Sequence, residues 1–147
     1  YCIDRLTKIY VIQLDKNNFG SDIFNSTYLN IVLIWNKGIA FGLLSFNESY
    51  LYNILSIIIS IIVVILVTMS LKSQGFKRYS LLMIVGGALG NLHDRIFSGA
   101  VPDFIDFHVG NFHWFIFNVS DIFITLGVIS MIILELADNI TEKQNND

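Results

Sequence analysis

The sequence predicts an α-helical membrane protein with four transmembrane helices and a small sheet on the outer membrane surface. Of the 147 residues, 54% are hydrophobic and only 14% are charged, whereas soluble domains carry roughly 25% charged residues. The apolar residues are concentrated in long runs, which is typical of membrane helices. Acidic side chains stand at the edges of these runs, where a carboxylate costs free energy and usually marks function.

The first helix is predicted at residues 1–14, although this run contains Asp4, Arg5 and Lys8. Because the sequence does not begin with Met, we expect the run to be the C-terminal part of a first membrane helix that is truncated at its N-terminus. An interfacial helix is the alternative. A cleaved signal peptide is disfavoured, because the charges lie inside the run and no small-residue cleavage site follows it.

The polar connection at residues 15–48 is predicted to contain a strand at residues 27–35, where β-branched and aromatic side chains dominate. Asn36-Lys37-Gly38 follows as a turn signal. We expect this sheet to lie on the membrane surface, since an open sheet edge inside lipid would leave backbone groups unsatisfied. Residues 41–46 are expected to dip into the interface.

The clearest membrane helix is predicted at residues 49–71, which contain no charged side chain. At about 1.5 Å per residue, this helix is longer than the roughly 30 Å hydrocarbon core. A buried helix of a soluble protein is disfavoured, because the chain is too small to surround so long an apolar cylinder. The third run covers residues 79–93, where Gly86 and Gly90 are spaced for close helix contact in lipid.

The fourth run covers residues 117–136 and is interrupted by Asp121 and Glu135. Residues 72–78 contain three basic side chains and no acid, so the positive-inside rule predicts that they are cytoplasmic. The connections at 15–48 and 97–117 then lie outside. We expect a single membrane domain over residues 1–147, with a loose polar tail at residues 138–147.

Composition also excludes several classes of function. The net charge is −3, and no basic patch is dense enough to bind nucleic acid. The single cysteine, Cys2, cannot form an internal disulfide. The three histidines, His93, His108 and His113, lack the spacing of a helical zinc motif such as H-E-x-x-H, so no metal site is predicted.

Three polar clusters are predicted on the external side of the membrane. Asn91, Asp94 and Arg95 share one helix face at the end of the third run. Asp103 lies in the segment 101–106, where alternation would place it on one side of an extended chain with Ile105. The third cluster lies at residues 117–121. Asp121 is an acid in the first turn of the last helix, and Asn118 and Ser120 are the two candidates for its N-cap.

Each acid also has a structural explanation by itself. Asp94 could form a topology-setting ion pair, and Asp121 could simply favour the helix dipole. The convergence of three clusters on one side favours chemistry instead. Two neighbouring carboxylates share a proton, so one can act as a base on water while the other donates to a carbonyl oxygen. Peptide hydrolysis is the natural use, although neither Asp103 nor Asp121 precedes the Thr-Gly or Ser-Gly of pepsin-like enzymes.

Five motifs occur in order along the chain, at residues 4–8, 36–41, 86–95, 101–104 and 117–121. They resemble the D-Q-x-[TS]-K, N-x-G-x-[AS]-F, G-G-x-x-G-N-x-x-D-R, V-x-D-F and F-N-x-A-D motifs of lipoprotein signal peptidases (signal peptidase II), a family of bacterial membrane aspartyl proteases. Arg5 replaces the usual Gln of the first motif, and Ser120 replaces the usual Ala of the last.

The resemblance implies an extracytoplasmic β-cradle and cleavage of prolipoproteins before a diacylglyceryl-modified cysteine. It implies a catalytic pair, Asp103 and Asp121, supported by other polar residues: Asp4, Asn36, Asn91, Asp94, Arg95 and Asn118. Among these, Asn36 and Arg95 are expected to hold the substrate backbone, and Asp94 is the main rival for a direct catalytic role.

The resemblance also implies a monomer in the bacterial cytoplasmic membrane, with its active site on the external face. The expected partners are prolipoprotein substrates and membrane lipid, with no nucleic acid. No cofactor is expected, because two acids suffice for the chemistry. The alternatives are a small proton- or ion-translocating protein, which would need polar groups across the membrane midplane, and an assembly factor without chemistry, which would leave the polar clusters unexplained.

Overall fold

The computed structural model describes residues 1–18, 22–38 and 49–146. Within these residues the chain forms four helices and a three-stranded antiparallel sheet. The elements are α1 (Cys2–Asn17), β1 (Leu29–Asn36), α2 (Ser49–Lys72), α3 (Gly75–Ser98), β2 (Val101–Val109), β3 (Phe112–Phe117) and α4 (Val119–Asn146). This confirms the predicted helical fold with a small sheet. Residues 41–46, predicted to dip into the interface, lie outside the described residues.

Many polar side chains are buried and many large apolar side chains are exposed, which is the reverse of the distribution in a soluble protein. The most deeply buried side chains include Lys8, Asp4, Asp94 and Asn118. Large apolar side chains cover the outside of the helices; they include Leu6, Ile9, Ile57, Ile61, Val64, Leu89, Ile96, Ile132 and Ile133. In water such a surface would be strongly unfavourable, whereas lipid accepts it. The fold is therefore suited to a bilayer.

Two of the helices within the described residues are long and apolar enough to cross a membrane on composition alone. They are Tyr50–Lys72, with mean hydropathy 3.0, and Val119–Thr141, with mean hydropathy 2.1. Helices α1 and α3 contain charged side chains in the same stretches as their apolar ones. Composition therefore supports two of the four predicted spans.

Helix α3 is the centre of the bundle and contacts α1, α2 and α4. Its backbone lies directly against that of α4, because a Cβ atom at Gly87 would be 2.5 Å from the Ser120 carbonyl oxygen. Of the predicted small-residue pair, Gly86 lies nearest to the Tyr1 nitrogen at the start of α1, whereas a Cβ at Gly90 would overlap both the Ser120 hydroxyl of α4 and the Asp4 carboxylate of α1. The small residues therefore bring α1, α3 and α4 together, as close packing in lipid requires.

The sheet follows directly from α3. Gly99 ends that helix in the left-handed conformation, with φ of 69°, which glycine adopts without a Cβ penalty. The chain then enters β2, the central strand, which pairs with β1 on one side and β3 on the other. Asp103 lies opposite Ile34 of β1. The predicted strand at residues 27–35 is confirmed as β1. Strand β3 is not predicted by the sequence and lies in the predicted connection at residues 97–117.

The loose tail predicted at residues 138–147 is corrected by the structure, since α4 continues to Asn146. Its last turns are polar and extend beyond the apolar stretch that ends at Thr141. The basic connection predicted at residues 72–78 is also shorter than expected. Only residues 73–74 separate α2 from α3, so Lys77 and Arg78 lie in the first turn of α3.

Candidate functional site

The site is built around Asn118, where β3 ends and α4 begins. The Asn118 side-chain oxygen accepts a hydrogen bond from the backbone N–H of Asp121 at 3.2 Å. In return, the backbone N–H of Asn118 donates to Asp121 Oδ2 at 3.1 Å. This reciprocal arrangement is a capping box. Asn118, rather than Ser120, is therefore the N-cap, and the cap turns the Asp121 carboxylate back toward the sheet.

The Asp103 carboxylate is held by two side-chain amides. Asn118 Nδ2 donates to Asp103 Oδ1 at 2.6 Å, and Asn36 Nδ2 donates to Asp103 Oδ2 at 2.8 Å. The pKa of Asp103 is raised to about 6: burial is the main cause and the nearby negative charge of Asp121 adds to it, while the two amide hydrogen bonds oppose the shift. Asp103 and Asp121 therefore lie in one site, joined by Asn118 and close enough to interact electrostatically.

Asn91 connects Asp121 to the first helix. The Asn91 amide donates to Asp121 Oδ1 at 2.8 Å, and the Asn91 side-chain oxygen accepts from Lys8 Nζ at 2.9 Å. The amide cannot reverse without losing both bonds, because an ammonium group only donates. Lys8 therefore fixes the orientation in which Asn91 presents a donor to Asp121.

A buried ionic cluster lies behind this relay. Lys8 Nζ is 2.7 Å from Asp94 Oδ2 and 2.9 Å from Asp4 Oδ1, and all three side chains are nearly inaccessible. Arg5 forms a further ion pair with Asp94 Oδ1. Asp4 Oδ1 also accepts the backbone N–H of Ser120 at 3.0 Å. The cluster thus ties α1 to α3 and to the first turn of α4.

The buried acids therefore fall into two groups. Asp4 and Asp94 are neutralised by cations, whereas no salt bridge within the described residues reaches Asp103 or Asp121. The latter two carboxylates accept hydrogen bonds from amide groups alone. Such a pair can exchange protons with a third molecule, which a carboxylate locked in an ion pair does less readily.

Arg95 supports the turn that follows β1. Its Nη2 donates to the Gly38 carbonyl oxygen at 2.6 Å, and the Gly38 N–H in turn donates to Asn36 Oδ1 at 2.7 Å. Arg95 also lies near Asp103 and Asp121, whose charges act on it. Asn36 and Arg95 thus bind protein groups in this structure, and their contact with a substrate backbone stays a prediction.

All eight predicted site residues are joined in one network. Lys8 also belongs to this network. It lies in the first motif but is not among the predicted site residues. Two signals could have identified it: it stands four residues after Asp4 on one helix face, and a lysine inside an apolar membrane run needs a partner.

An apolar groove of about 330 Å³ opens beside Asp121. Its lining consists of Trp114, Phe117, Asp121, Ile122, Thr125 and Leu126. Among the described residues, Asp121 is the one ionisable group in this lining. The groove thus offers an apolar ligand access to one of the two amide-bound carboxylates.

An outward apolar surface around a buried network of carboxylates and amides defines a helical membrane protein with an internal polar site. Two solved structures described as bacterial membrane enzymes have this fold. One, solved by the in meso method at 2.3 Å resolution, shares 31% identity with a TM-score of 0.67, covering 93% of this chain and 89% of the other. The second, at 1.9 Å, shares 32% identity with a TM-score of 0.63, covering 92% and 94%.

Residues 1–137 match the family model described as signal peptidase (SPase) II. The lipoprotein signal peptidase of Pelagibacter ubique (strain HTCC1062) is 48% identical over 147 residues, covering 100% of this chain and 87% of that protein. That of Anaplasma phagocytophilum (strain HZ) is 42% identical over 137 residues, covering 91% and 85%. The chain belongs to the signal peptidase II family, which makes it a membrane-associated peptidase, and the resemblance seen in the five motifs is confirmed.

Proposed function

We propose that this protein is an aspartic endopeptidase that removes signal peptides from prolipoproteins at the bond preceding a diacylglyceryl-modified cysteine. The observation that carries the proposal is the contrast among the buried acids. Asp103 and Asp121 are joined through Asn118 and lack a salt bridge within the described residues, while Asp4 and Asp94 are neutralised by Lys8. The five family motifs provide the second support.

In the proposed mechanism Asp103 and Asp121 share one proton. The ionised member takes a proton from a water molecule as the water oxygen attacks the scissile carbonyl carbon, and the protonated member donates its proton to the carbonyl oxygen. The resulting tetrahedral intermediate collapses when the C–N bond breaks and the nitrogen takes the proton held by the pair. One hydroxyl of the intermediate returns its proton to the pair as the carbonyl re-forms, so the pair again holds one proton. The roles belong to the pair rather than to one member. The raised pKa of Asp103, about 6, is consistent with a shared proton near neutral pH.

The groove beside Asp121 is proposed to receive apolar parts of the substrate. A diacylglyceryl cysteine keeps its acyl chains in the bilayer, so its peptide bond is confined to the membrane interface. An apolar cleft that ends at a carboxylate holds such a bond at the reacting groups, and this proximity lowers the barrier.

We further propose that all four helices span the membrane, with the sheet on the external side. Arg5 and Lys8 of α1 form ion pairs with Asp94 of α3, and Lys8 also pairs with Asp4, which explains why hydropathy alone does not identify these two spans. A Cys2→Ser background with Ser73→Cys or Asn111→Cys tests this topology. An impermeant thiol reagent should label Asn111→Cys in intact cells, and Ser73→Cys only after the membrane is opened. Labelling of both in intact cells contradicts it.

Proton or ion translocation is the competing function. It would use the same carboxylates, but membership in a peptidase family and the amide-bound acid pair favour hydrolysis. Proton flux in liposomes without peptidase activity would reverse this preference.

The decisive experiment measures cleavage of a lipid-modified prolipoprotein by purified variants. Asp103→Asn and Asp121→Asn should each reduce the rate by at least about 10³-fold, as expected when an acid or base is removed, while the thermal unfolding temperature stays close to wild type. Asp22→Asn is the matched control, since Asp22 is an exposed acid whose one side-chain hydrogen bond within the described part of the chain is with Asn25. Cleavage at the wild-type rate in either of the first two variants refutes the acid pair.

A further inference from the structure

A second cluster of ionisable side chains lies on the β2–β3 hairpin, outside the network described above. It consists of Asp106 and His108 of β2 and His113 of β3. Each residue offers one potential ligand atom, and these atoms all lie within 4.8 Å of one another. His108 and His113 are direct cross-strand partners, and their rings stack with centroids 4.9 Å apart.

Asp106 is already oriented toward this cluster. The His113 Nδ1 atom lies 2.8 Å from Asp106 Oδ2 and 3.0 Å from Asp106 Oδ1. Asn30 of β1 donates to Asp106 Oδ2 at 3.3 Å. Asp106 is nearly inaccessible, whereas the side chain of His113 is 52% exposed. Asp106 is therefore a buried carboxylate that is hydrogen-bonded to a neighbouring amide, and it faces a more exposed imidazole. Carboxylate ligands in metal sites have outer hydrogen-bond partners of this kind.

His108 supplies the observation that an Asp–His ion pair alone leaves unexplained. Its Nδ1 atom is buried and finds no hydrogen-bond partner within the described residues. A buried nitrogen without a partner has lost its hydrogen bond to water without a replacement, and such atoms are rare in folded proteins. A cation bound between the strands would accept the lone pair of this nitrogen and remove the cost.

We propose that Asp106, His108 and His113 bind a divalent transition-metal ion of the Zn²⁺ type. Imidazole and carboxylate are the ligands that Zn²⁺ prefers apart from thiolate, at about 2.0–2.2 Å, and three protein ligands leave a fourth position for water. The half-exposed His113 ring can turn to bring its ligand atom within that distance. One carboxylate and two neutral imidazoles leave a net charge of +1 on the occupied site.

The bound ion would join β2 to β3 close to the hairpin turn. Peptide hydrolysis needs no part of this site, so the inference is independent of the proposed peptidase activity. Histidine spacing along the chain does not indicate this site, because the hairpin pairs His108 with His113 across two strands, whereas H-E-x-x-H places its histidines on one helix.

Metal binding is tested with the full chain in detergent micelles, carrying a Cys2→Ser substitution and purified without a polyhistidine tag. Co²⁺ absorption reports ligand binding, and calorimetry with Zn²⁺ gives affinity and stoichiometry. The expected result is one ion per chain. His108→Ala, His113→Ala and Asp106→Asn should each weaken the affinity at least about tenfold, while His93→Ala, which removes the one remaining histidine, should leave it unchanged.

The variants are compared by circular dichroism and gel filtration, so that loss of binding is read only in folded protein. Asp106→Asn is nearly isosteric and guards against misfolding of the histidine variants. Absence of saturable binding below about 1 mM overturns the proposal. So does binding that survives His108→Ala and His113→Ala together, or that His93→Ala weakens as much as they do.

Discussion

The side-chain amide of Asn118 donates a hydrogen bond to Asp103 Oδ1 across 2.6 Å. The same side chain caps α4 by accepting the backbone N–H of Asp121. One residue therefore begins a helix and also fixes the position of two carboxylates, one on the sheet and one on the helix. Because the nitrogen and the oxygen of its amide group each form one of these bonds, Asn118 couples the local stability of α4 to the geometry of the site.

The first prediction concerns this coupling. Asn118→Ala should lower the free energy of unfolding by about 1 kcal/mol, the usual contribution of an N-cap. It should also reduce kcat on a prolipoprotein by on the order of 10²-fold, since the two carboxylates lose their common anchor, with a smaller change in KM. Kinetics and thermal unfolding in detergent measure the two effects.

Asn25→Ala is the matched control, because the Asn25 side chain is exposed and bonds only to Asp22 in the described residues. It should leave both quantities at wild-type values. If Asn118→Ala lowers stability but leaves kcat unchanged, Asn118 is a helix cap without a role in placing the acids.

The second prediction follows from the pKa of Asp103, which burial raises from 3.8 to about 6. Between these values the folded protein binds more protons than the unfolded chain, so stability falls as pH rises through this interval. Asp103→Asn removes the titrating group and should flatten the stability profile between about pH 4 and 6. Unfolding temperatures across this range, compared with those of Asp22→Asn, measure the difference. An unchanged slope in Asp103→Asn would show that other groups cause the pH dependence.

The sequence predicted the helices and β1 well because their signals are local. The prediction of α2 depends on an uncharged apolar run, and the prediction of β1 depends on the β-branched and aromatic side chains before Asn36. Strand β3 lies in the predicted connection, although residues 112–117 are also mostly aromatic and β-branched; its pairing with β2 is what the sequence does not show. A strand is stabilised mainly by such cross-strand contacts, which sequence periodicity does not reveal.

The site was predicted residue by residue through family motifs, but the partners of each residue were not. Asp4, Asp94 and Lys8 are far apart in the sequence, and their mutual neutralisation depends on how α1 packs against α3. The motifs identified which polar residues belong together. Only the fold sorts Asp4 and Asp94 into ion pairs and leaves Asp103 and Asp121 with amide partners alone among the residues that the structure describes.

The third prediction tests this sorting through Lys8. Lys8→Met should destabilise the protein by about 3–5 kcal/mol, because it leaves the buried Asp4 carboxylate without a cation. Lys8→Met combined with Asp4→Asn should recover part of the loss, since an asparagine oxygen can still accept the Ser120 N–H. The unfolding temperatures of the single and double variants measure the recovery.

Lys77→Met is the control for the lysine prediction. The Lys77 ammonium lies 3.8 Å from Glu135 and both side chains are exposed, so its loss should change stability by less than about 1 kcal/mol. Equal effects of Lys8→Met and Lys77→Met would contradict the buried ionic cluster.

The fourth prediction concerns the closest approach of α3 to its neighbours. A Cβ atom at Gly90 would overlap the Asp4 carboxylate and the Ser120 hydroxyl, two buried groups whose outer atoms have no hydrogen-bond partner in the described residues. Gly90→Ala should therefore displace α1 from α3 and cost at least about 1–3 kcal/mol, the usual penalty of overpacking.

Gly86→Ala is the matched control one turn earlier, since the nearest atom to its Cβ is 3.5 Å away. Thermal unfolding should thus show a large loss for Gly90→Ala and little change for Gly86→Ala. Because Ser120→Ala removes one of the two overlapping groups, adding it to Gly90→Ala should restore part of the stability, and no recovery would mean that the Asp4 carboxylate alone sets the limit.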